Sequence, residues 1–351
     1  MGEKILMKGN EAIGESAIRA GCRFFFGYPI TPQSELIAYM AKKLLKMEDA
    51  AFVQSESEIA AINMVYGAAS TGARVMTSSS GPGISLKQEG ISYLSVAELP
   101  CVVVNIMRSG PGLGNIQPAQ GDYFQATKGG GHGDYRLIVL APSSIQELVD
   151  LTSEAFDLAD KYRNPVMILA DGLLGQMMEA VEFKEKPKVE LPDKKGWTLT
   201  GCEGREPHCI IPFDLDPVAF EKWTNNLGEK YIKIKEKEVR YEAINMEDAE
   251  LIIVAYGTVA RIAKTVINNA KKEGINIGLI RPITLFPFPE EIIASTAEKA
   301  KNFLVVEMSQ GQMVEDVRLA VEGKTEVHFY GRTGGMIPSQ EEILREVKRY
   351  L

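Results

Sequence analysis

The chain has 351 residues, of which 45% are hydrophobic and 25% charged, and its formal net charge is −8. This length fits about two domains of roughly 150 residues each, and the negative charge argues against nucleic acid as a partner, which requires a basic face. The N-terminus does not resemble a signal peptide, and no segment approaches the ~18 apolar residues of a membrane span, so a cytoplasmic protein with no membrane partner is expected.

Residues 1 to about 180 alternate between helix and strand patterns. The expected strands are CRFFFG, RVMTSSS, PCVVVNIM, RLIVLA and PVMILA. The expected helices are GNEAIGESAIRAG, capped by Asn10, then TPQSELIAYMAKKLL, SESEIAAINMVYGAASTGA, the stretch from GPG through ISYLSVAEL, and SSIQELVDLTSEAFDLADKY. Apolar strands joined by helices predict an α/β domain with a parallel sheet covered by helices on both faces.

Residues 181–245 interrupt this alternation, because FKEKPKVELPDKKG and LGEKYIKIKEKEVR are charged and punctuated by proline. We interpret them as a connecting segment with room for a small hairpin. From residue 246 to the C-terminus the alternation returns with LIIVAYG, INIGLI, RPITLFPFP, NFLVVEMS and TEVHFYG, separated by helical patterns. These residues predict a second, smaller α/β domain.

Thr31 lies in the stretch FFFGYPITPQSELIAYM, where a strand turns into a helix. Proline is favoured at the first position of a helix and threonine at the position before it, so Thr31 and Pro32 are expected to begin the helix. The turn also follows the carboxyl end of a parallel strand, where ligands bind in open α/β sheets. Capping and ligand binding are compatible roles for this residue.

Glu58 stands at the start of a helix, where the helix dipole favours acidic residues. It leads directly into the apolar and small residues IAAINMVYG, so we expect it to be partly buried. Burial suits a carboxyl group to proton exchange. Helix stabilisation and catalysis therefore both remain open from the pattern alone.

Arg108 ends the apolar strand PCVVVNIM and enters a loop rich in glycine and proline, SGPGLGNIQP. An arginine in that position can bind a carboxylate through two hydrogen bonds. An ion pair with a neighbouring acidic residue is the alternative.

Other motifs in the chain predict little chemistry. TSSSGPG lacks the lysine of a phosphate-binding P-loop, and LADGLLGQ lacks the downstream asparagine pair of a thiamine diphosphate metal motif. The four cysteines include no CxxC pair and do not form an iron–sulfur ligand pattern. No metal site is predicted in this chain.

Four stretches together resemble one known family, the α subunits of 2-oxoacid:ferredoxin oxidoreductases. They are GYPITPQSE, SESEIAAINMVYGAASTGARVMTSSSGPG, ELPCVVVNIMRSGPGLGNIQP and GGGHGDYRLIVLAPSS. The likeness covers nearly the whole chain, including RPITLFPFP and EMSQGQMVEDVRLAV, and is greatest to the 2-oxoisovalerate (3-methyl-2-oxobutanoate) enzymes of anaerobes.

This resemblance implies that the first domain binds the pyrimidine ring of thiamine diphosphate, and that the second resembles the C-terminal domain of transketolase. Glu58, nine residues before Gly67, would hydrogen-bond the pyrimidine and assist proton removal from the thiazolium carbon. Pro29 and Ile30 would also contact the cofactor. Thr31 and Arg108 would bind the 2-oxoacid, with Tyr28 nearby and with Asn115 and Gln117 able to line the pocket.

The same resemblance implies partners. A β subunit would hold the diphosphate and Mg²⁺, iron–sulfur clusters would lie on further subunits (gamma or delta), ferredoxin would accept electrons, and coenzyme A would take the acyl group. Two alternatives remain: a relative specific for 2-oxoglutarate or pyruvate, and a non-catalytic assembly subunit. The second is disfavoured because Thr31, Glu58 and Arg108 are all present.

Overall fold

The computed structural model describes residues 4–184 and 189–351. The elements of its first part, in chain order, are β1 (Lys4–Lys8), α1 (Gly9–Arg19), β2 (Phe24–Gly27), α2 (Ser34–Leu44), β3 (Ala51–Gln54), α3 (Glu58–Ser70), β4 (Val75–Ser79), α4 (Gly81–Val96), β5 (Val102–Met107), α5 (Tyr123–Thr127), β6 (Ile138–Leu140), α6 (Ile145–Tyr162), β7 (Val166–Asp171), α7 (Gly172–Gln176) and β8 (Met178–Glu182). They are followed by α8 (Pro217–Lys237), β9 (Tyr241–Ile244), β10 (Leu251–Val254), α9 (Gly257–Lys272), β11 (Ile277–Pro282), β12 (Thr284–Phe286), α10 (Glu290–Ala297), β13 (Asn302–Glu307), α11 (Met313–Val321), β14 (Glu326–Gly331) and α12 (Gln340–Arg349).

The first sheet has seven strands in the order β12-β6-β7-β5-β4-β2-β3. The six strands β2 to β7 pair in parallel, and β12 joins the edge antiparallel to β6. All five strands expected in this part are present, which confirms the parallel sheet. The edge strand β3 was not predicted; its residues are only half-buried or exposed, so they lack the continuous apolar pattern of β5 and β7.

The second sheet has five strands in the order β14-β13-β10-β11-β9, parallel except for β9. Placing RPITLFPFP wholly in the second domain was wrong, because β12 within it completes the first sheet. One apolar core is continuous between the two sheets and includes residues of both, such as Val104 and Val305. The second domain is therefore packed directly against the first.

The expected connecting segment contains more structure than its composition suggested. Its helix α8 is 21 residues long and buries Leu227, Tyr231 and Ile234, which recur at helical spacing along an otherwise charged sequence. The strand β9 also falls within this segment and belongs to the second sheet. No helix within the described residues is both long enough and apolar enough to cross a membrane.

Asn10 does not cap α1, which was the expectation, because the helix begins earlier, after Lys8. Its side chain instead donates hydrogen bonds to the carbonyl oxygen of Pro32 at 2.8 Å and to Glu35 at 3.1 Å. This buried amide ties α1 to the turn between β2 and α2.

Candidate functional site

Four neighbouring strands of the first sheet, β5, β4, β2 and β3, end at one edge of the molecule. The chain runs from β2 to β3 on one side and then returns to β4 on the other, so the strand order reverses at this edge. Ligands of open α/β proteins bind at such a reversal. Thr31, Glu58 and Arg108 all follow these strand ends, and the structure therefore places the three residues at one edge.

Thr31 is not the cap of α2. The helix begins at Ser34, Gln33 occupies the capping position, and the Thr31–Pro32 peptide bond is cis. Thr31 is exposed in the turn before the helix. The Thr31 hydroxyl therefore does not cap the helix. Thr31 nevertheless lies at the strand end where a ligand would bind.

Arg108 reaches across to this turn. Its Nη1 donates to the carbonyl oxygen of Thr31 at 3.1 Å, and its Nη2 donates to the carbonyl oxygen of Leu113 at 3.0 Å. The buried Nε has no hydrogen-bond partner among the described residues, and within these residues Arg108 makes no ion pair closer than 4.0 Å. The side chain therefore keeps an unused donor in the site.

Glu58 is the first residue of α3, and its side chain is 6% exposed, which confirms the expected burial. The preceding residue, Ser57, caps the helix by accepting from the backbone N–H of Ala60 at 3.2 Å. Glu58 is therefore not needed as the cap. Within the described residues its carboxylate makes no hydrogen bond, so both oxygens remain able to accept one.

Two glycines in the first turn of α4 lie beside Glu58 and Arg108. A Cβ at Gly81 would lie 3.7 Å from Cγ of Arg108, whereas one at Gly83 would lie 2.5 Å from Oε1 of Glu58 and 2.1 Å from Oγ of Ser79. No residue larger than glycine fits at position 83 without displacing the carboxylate. The start of α4 thus lies close to both charged side chains.

A cavity of about 300 Å³ opens beside Arg108 at the start of α4. Its lining includes Pro82, Ser109 and Asp122, while Thr31 and Glu58 lie outside it. Burial raises the pKa of Asp122, although a hydrogen bond from Asn105 at 2.9 Å and the charge of Arg108 oppose this effect. The sequence analysis missed Asp122, which lies well beyond the strand end in a loop without periodicity.

Lys87 is a second charged residue that the sequence analysis missed. It is fully buried on α4, one helical turn after Gly83, and its ammonium donates to Thr77 Oγ1 and to the carbonyl oxygen of Ser78 at 3.1 Å. Burial lowers its pKa to about 7, while the charge of Glu58 acts in the opposite direction. Its position between Ile84 and Ile91 on the apolar face of α4 was the available signal.

The stability of the chain should depend on pH through Lys87. Below pH 7 the folded and unfolded states both carry the charge; between pH 7 and the ordinary pKa of 10.5 only the unfolded state carries it, so stability rises with pH. Relative to Lys87→Met, the native chain should gain on the order of 3 kcal/mol between pH 7 and pH 10. Urea unfolding of both proteins at several pH values measures this gain, and parallel stability curves would contradict it.

The other expected site residues occupy the same edge. Tyr28 and Pro29 are exposed, and Ile30 is half-buried in the turn after β2. Asn115 is also exposed, but its amide is already used: it donates to the carbonyl oxygen of Gly334 at 3.0 Å and accepts from the N–H of Gln117 at 2.8 Å. Its predicted contact with substrate stays a prediction.

Within the described ranges no three His, Cys, Asp or Glu side chains are grouped so that they could hold a metal ion. Cys22 and Cys101 are buried, and Cys202 and Cys209 are exposed and free. At this edge, the Arg108 Nε and the hydroxyls of Ser79 and Ser80 are among the buried polar groups without a partner in the described residues, and the Glu58 carboxylate is also free to accept hydrogen bonds. This set suits an organic ligand that carries nitrogen donors and an anionic group.

Two family models match successive parts of the chain. Residues 15–246 match the family described as pyruvate flavodoxin/ferredoxin oxidoreductase, thiamine diphosphate-binding, and residues 249–343 match the core domain II of pyruvate:ferredoxin oxidoreductase. The ketoisovalerate oxidoreductase subunit VorB of Methanothermobacter thermautotrophicus is 52% identical over 98% of this chain and 97% of its own length. The 2-oxoglutarate synthase subunit KorA of Methanocaldococcus jannaschii is 38% identical over 97% of this chain and 98% of its own.

Solved structures agree with this comparison. The 2-oxoglutarate:ferredoxin oxidoreductase from Magnetococcus marinus, with 2-oxoglutarate, coenzyme A and succinyl-CoA bound, superposes with a TM-score of 0.87 at 27% identity. That match covers 99% of this chain and 65% of the Magnetococcus chain. A split-gene transketolase superposes with a TM-score of 0.59 at 13% identity over 100% of this chain and 99% of its own, a likeness of fold alone.

Proposed function

The chain belongs to the pyruvate flavodoxin/ferredoxin oxidoreductase family and is a subunit of a 2-oxoacid:ferredoxin oxidoreductase, and from that premise we propose that it is the α subunit of an enzyme that oxidises the branched-chain 2-oxoacid 3-methyl-2-oxobutanoate. The reaction would consume coenzyme A and oxidised ferredoxin, and would release acyl-CoA, CO₂ and reduced ferredoxin. The relative with 52% identity, a ketoisovalerate oxidoreductase subunit, supports this substrate.

One observation carries the proposal: glycines in the first turn of α4 leave room beside both Glu58 and Arg108, and Arg108 also holds the Thr31 turn. A carboxylate able to accept a proton therefore lies near a guanidinium able to bind an anion. This pairing suits a reaction in which an anionic substrate meets a cofactor that must first lose a proton.

Thiamine diphosphate would supply the carbon nucleophile and hold the electrons released when CO₂ leaves. The residues of this chain fit its pyrimidine ring, because the buried Glu58 carboxylate has no hydrogen bond within the described residues and Gly83 leaves space beside it. We assign to Glu58 the role of accepting a hydrogen bond from the ring and sharing its proton. Pro29 and Ile30, in the turn after β2, are proposed to flank the ring.

Arg108 is proposed to bind the carboxylate of the 2-oxoacid through its unused donor, with the Thr31 hydroxyl and Tyr28 beside it. Fixing the carboxylate orients the keto group for attack. Arg108 is the one basic residue in the cavity lining, within the part of the chain that the structure describes, and Asp122 is acidic. A second carboxylate, as in 2-oxoglutarate, would lack a cation there, which supports an apolar substrate tail.

The surface around the site supports a partner subunit. Exposed apolar side chains surround the edge, namely Tyr28, Ile59, Met64, Leu86, Leu113 and Ile116. Exposed apolar side chains concentrated near one site are typical of an interface. We propose that a β subunit covers it and supplies the diphosphate and Mg²⁺ site, and that the iron–sulfur clusters lie on further subunits. A cytoplasmic location stays a prediction.

The substrate is tested by purifying the complex with its native partners. We expect 3-methyl-2-oxobutanoate to give a kcat/KM at least about 100-fold above that of pyruvate, because its side chain is two carbons larger and an apolar pocket discriminates by about 1–3 kcal/mol per methylene. The assay follows ferredoxin or viologen reduction with coenzyme A present. A preference for 2-oxoglutarate would overturn the substrate assignment and leave the reaction class intact.

The shared cofactor site is tested with the isolated chain. Titration calorimetry should show thiamine diphosphate binding at least about 100-fold more weakly than to the complex, because the diphosphate contacts would be missing. Thiamine without its diphosphate is the control, because the isolated chain should bind it about as weakly as it binds thiamine diphosphate. Tight binding of thiamine diphosphate by this chain alone would refute a site divided between subunits.

A further inference from the structure

We propose that the second domain holds the loop after β5 in its binding conformation, and that Asn115 is the residue through which it positions Arg108. The effect on substrate binding rests on the proposed function, whereas the effect on the loop does not. The loop, defined here as residues 109–120, joins β5 to the segment before α5.

The orientation of the Arg108 guanidinium depends on this loop. Arg108 donates to the carbonyl oxygen of Leu113 within it, and its backbone forms a bridge with Pro118. The N–H of Ser109 donates to the carbonyl oxygen of Gln117 at 2.9 Å, which closes the base of the loop. The Arg108 side chain makes two hydrogen bonds, and of these the one to Thr31 alone lies outside the loop. Movement of the loop would therefore move the guanidinium.

The exposed part of the loop has internal hydrogen bonds, such as that from the N–H of Asn115 to the carbonyl oxygen of Ser109 at 3.0 Å, but it has no apolar anchor. Residues 110–117 are all exposed, Leu113 to 79% and Ile116 to 57%, so no apolar side chain anchors them in a core. Its glycines, at positions 110, 112 and 114, have the greatest backbone freedom of any residue. A loop of this kind needs contacts from outside to keep one conformation.

The second domain supplies these contacts at two points. Gln120, at the end of the loop, exchanges two hydrogen bonds with the backbone of Met308 and donates to the carbonyl oxygen of Tyr256. Asn115, in the middle, donates to the carbonyl oxygen of Gly334 at 3.0 Å while it accepts from the N–H of Gln117. Asn115 thus joins the exposed part of the loop to the second domain.

Two adjacent glycines of the second domain show how closely the loop fits. A Cβ at Gly335 would lie 2.3 Å from Cβ of Gln117 and 3.0 Å from Oδ1 of Asn115, whereas a Cβ at Gly334 would meet no atom within 4 Å. Both have positive φ, +66° and +87°, so alanine is strained at either. Gly335→Ala should displace the loop, and Gly323→Ala, which has φ +74° and no atom within 4 Å of the added Cβ, is the matched control for the backbone strain.

The loop itself is tested by hydrogen exchange of the full chain without substrate and without partner subunits, because the proposed β subunit would cover Leu113 and Ile116. In Asn115→Ala and Gly335→Ala, the peptide covering residues 108–120 should exchange at least about tenfold faster, and in Gly323→Ala at the native rate. Asn115→Asp keeps the acceptor for Gln117 and loses the donor to Gly334, so it should behave like Asn115→Ala. Unchanged exchange in both Asn115 variants and in Gly335→Ala would overturn the inference.

The link to Arg108 is tested by kinetics of the same variants. Loss of one hydrogen bond should raise KM for every active 2-oxoacid about five- to tenfold, with kcat nearly unchanged. The alternative outcome is a higher KM in Asn115→Ala, with loop exchange at the native rate and with a native KM in Gly335→Ala. That outcome would show that Asn115 contacts substrate, and it would overturn the positioning role. If the native complex oxidised none of the 2-oxoacids, the proposed function would be refuted. The exchange data would still show whether the second domain holds the loop.

Discussion

Replacing Glu58 by glutamine should lower the rate of 2-oxoacid oxidation by about 10²- to 10⁴-fold in the assembled complex, the range associated with loss of a general acid–base group. Glutamine matches the size of the buried side chain and fits beside Gly83, so assembly should survive. Exchange of the thiazolium carbon's proton for deuterium, followed by NMR after acid quench, measures the step that Glu58 is proposed to assist.

Glu56→Gln is the matched control for this change. Glu56 is two residues earlier, exposed and outside α3, so the loss of its charge should leave deuterium exchange at the native rate. If Glu58 served only to stabilise the helix dipole, Glu58→Gln would lower the melting temperature slightly and leave exchange unchanged. That outcome would remove Glu58 from catalysis.

Replacing Arg108 by alanine should raise KM for every 2-oxoacid by about 10- to 100-fold, because a hydrogen bond to a charged group contributes about 1.5–3 kcal/mol. Arg108→Lys should recover part of this effect, since lysine keeps the charge and loses the two-pronged geometry. Steady-state kinetics with several 2-oxoacids measures the change, which should be similar for each because the carboxylate is common to all.

Arg136→Ala is the control for the loss of an arginine. Arg136 is half-buried and donates to backbone carbonyl oxygens, as Arg108 does, but it precedes β6 at the opposite edge of the sheet. Its removal should leave KM unchanged. A native KM in Arg108→Ala would mean that the carboxylate binds elsewhere, and Ser80 or residues of a partner subunit would then become the candidates.

Local patterns were sufficient to predict much of the fold. The continuous apolar runs of β5 and β7 and the helical spacing in α6 depend on near neighbours in the chain, so they could be recognised without tertiary structure. The burial of Glu58 was also predictable, because the residues after it are apolar. In contrast, α8 was missed because its three buried residues are separated by charged ones.

The fold class, the parallel sheet and the strand ends that carry Thr31, Glu58 and Arg108 could all be predicted before folding was known, because they follow from periodicity within single elements. Only the folded structure shows that Thr31 does not cap α2 and that its carbonyl oxygen accepts a hydrogen bond from Arg108, 77 residues away. The same is true of the hydrogen bond from Asn115 to Gly334, 219 residues away. Tertiary structure also placed β12 in the first sheet. The reason is that such contacts join residues far apart in the chain, and no local pattern records which surfaces folding will bring together.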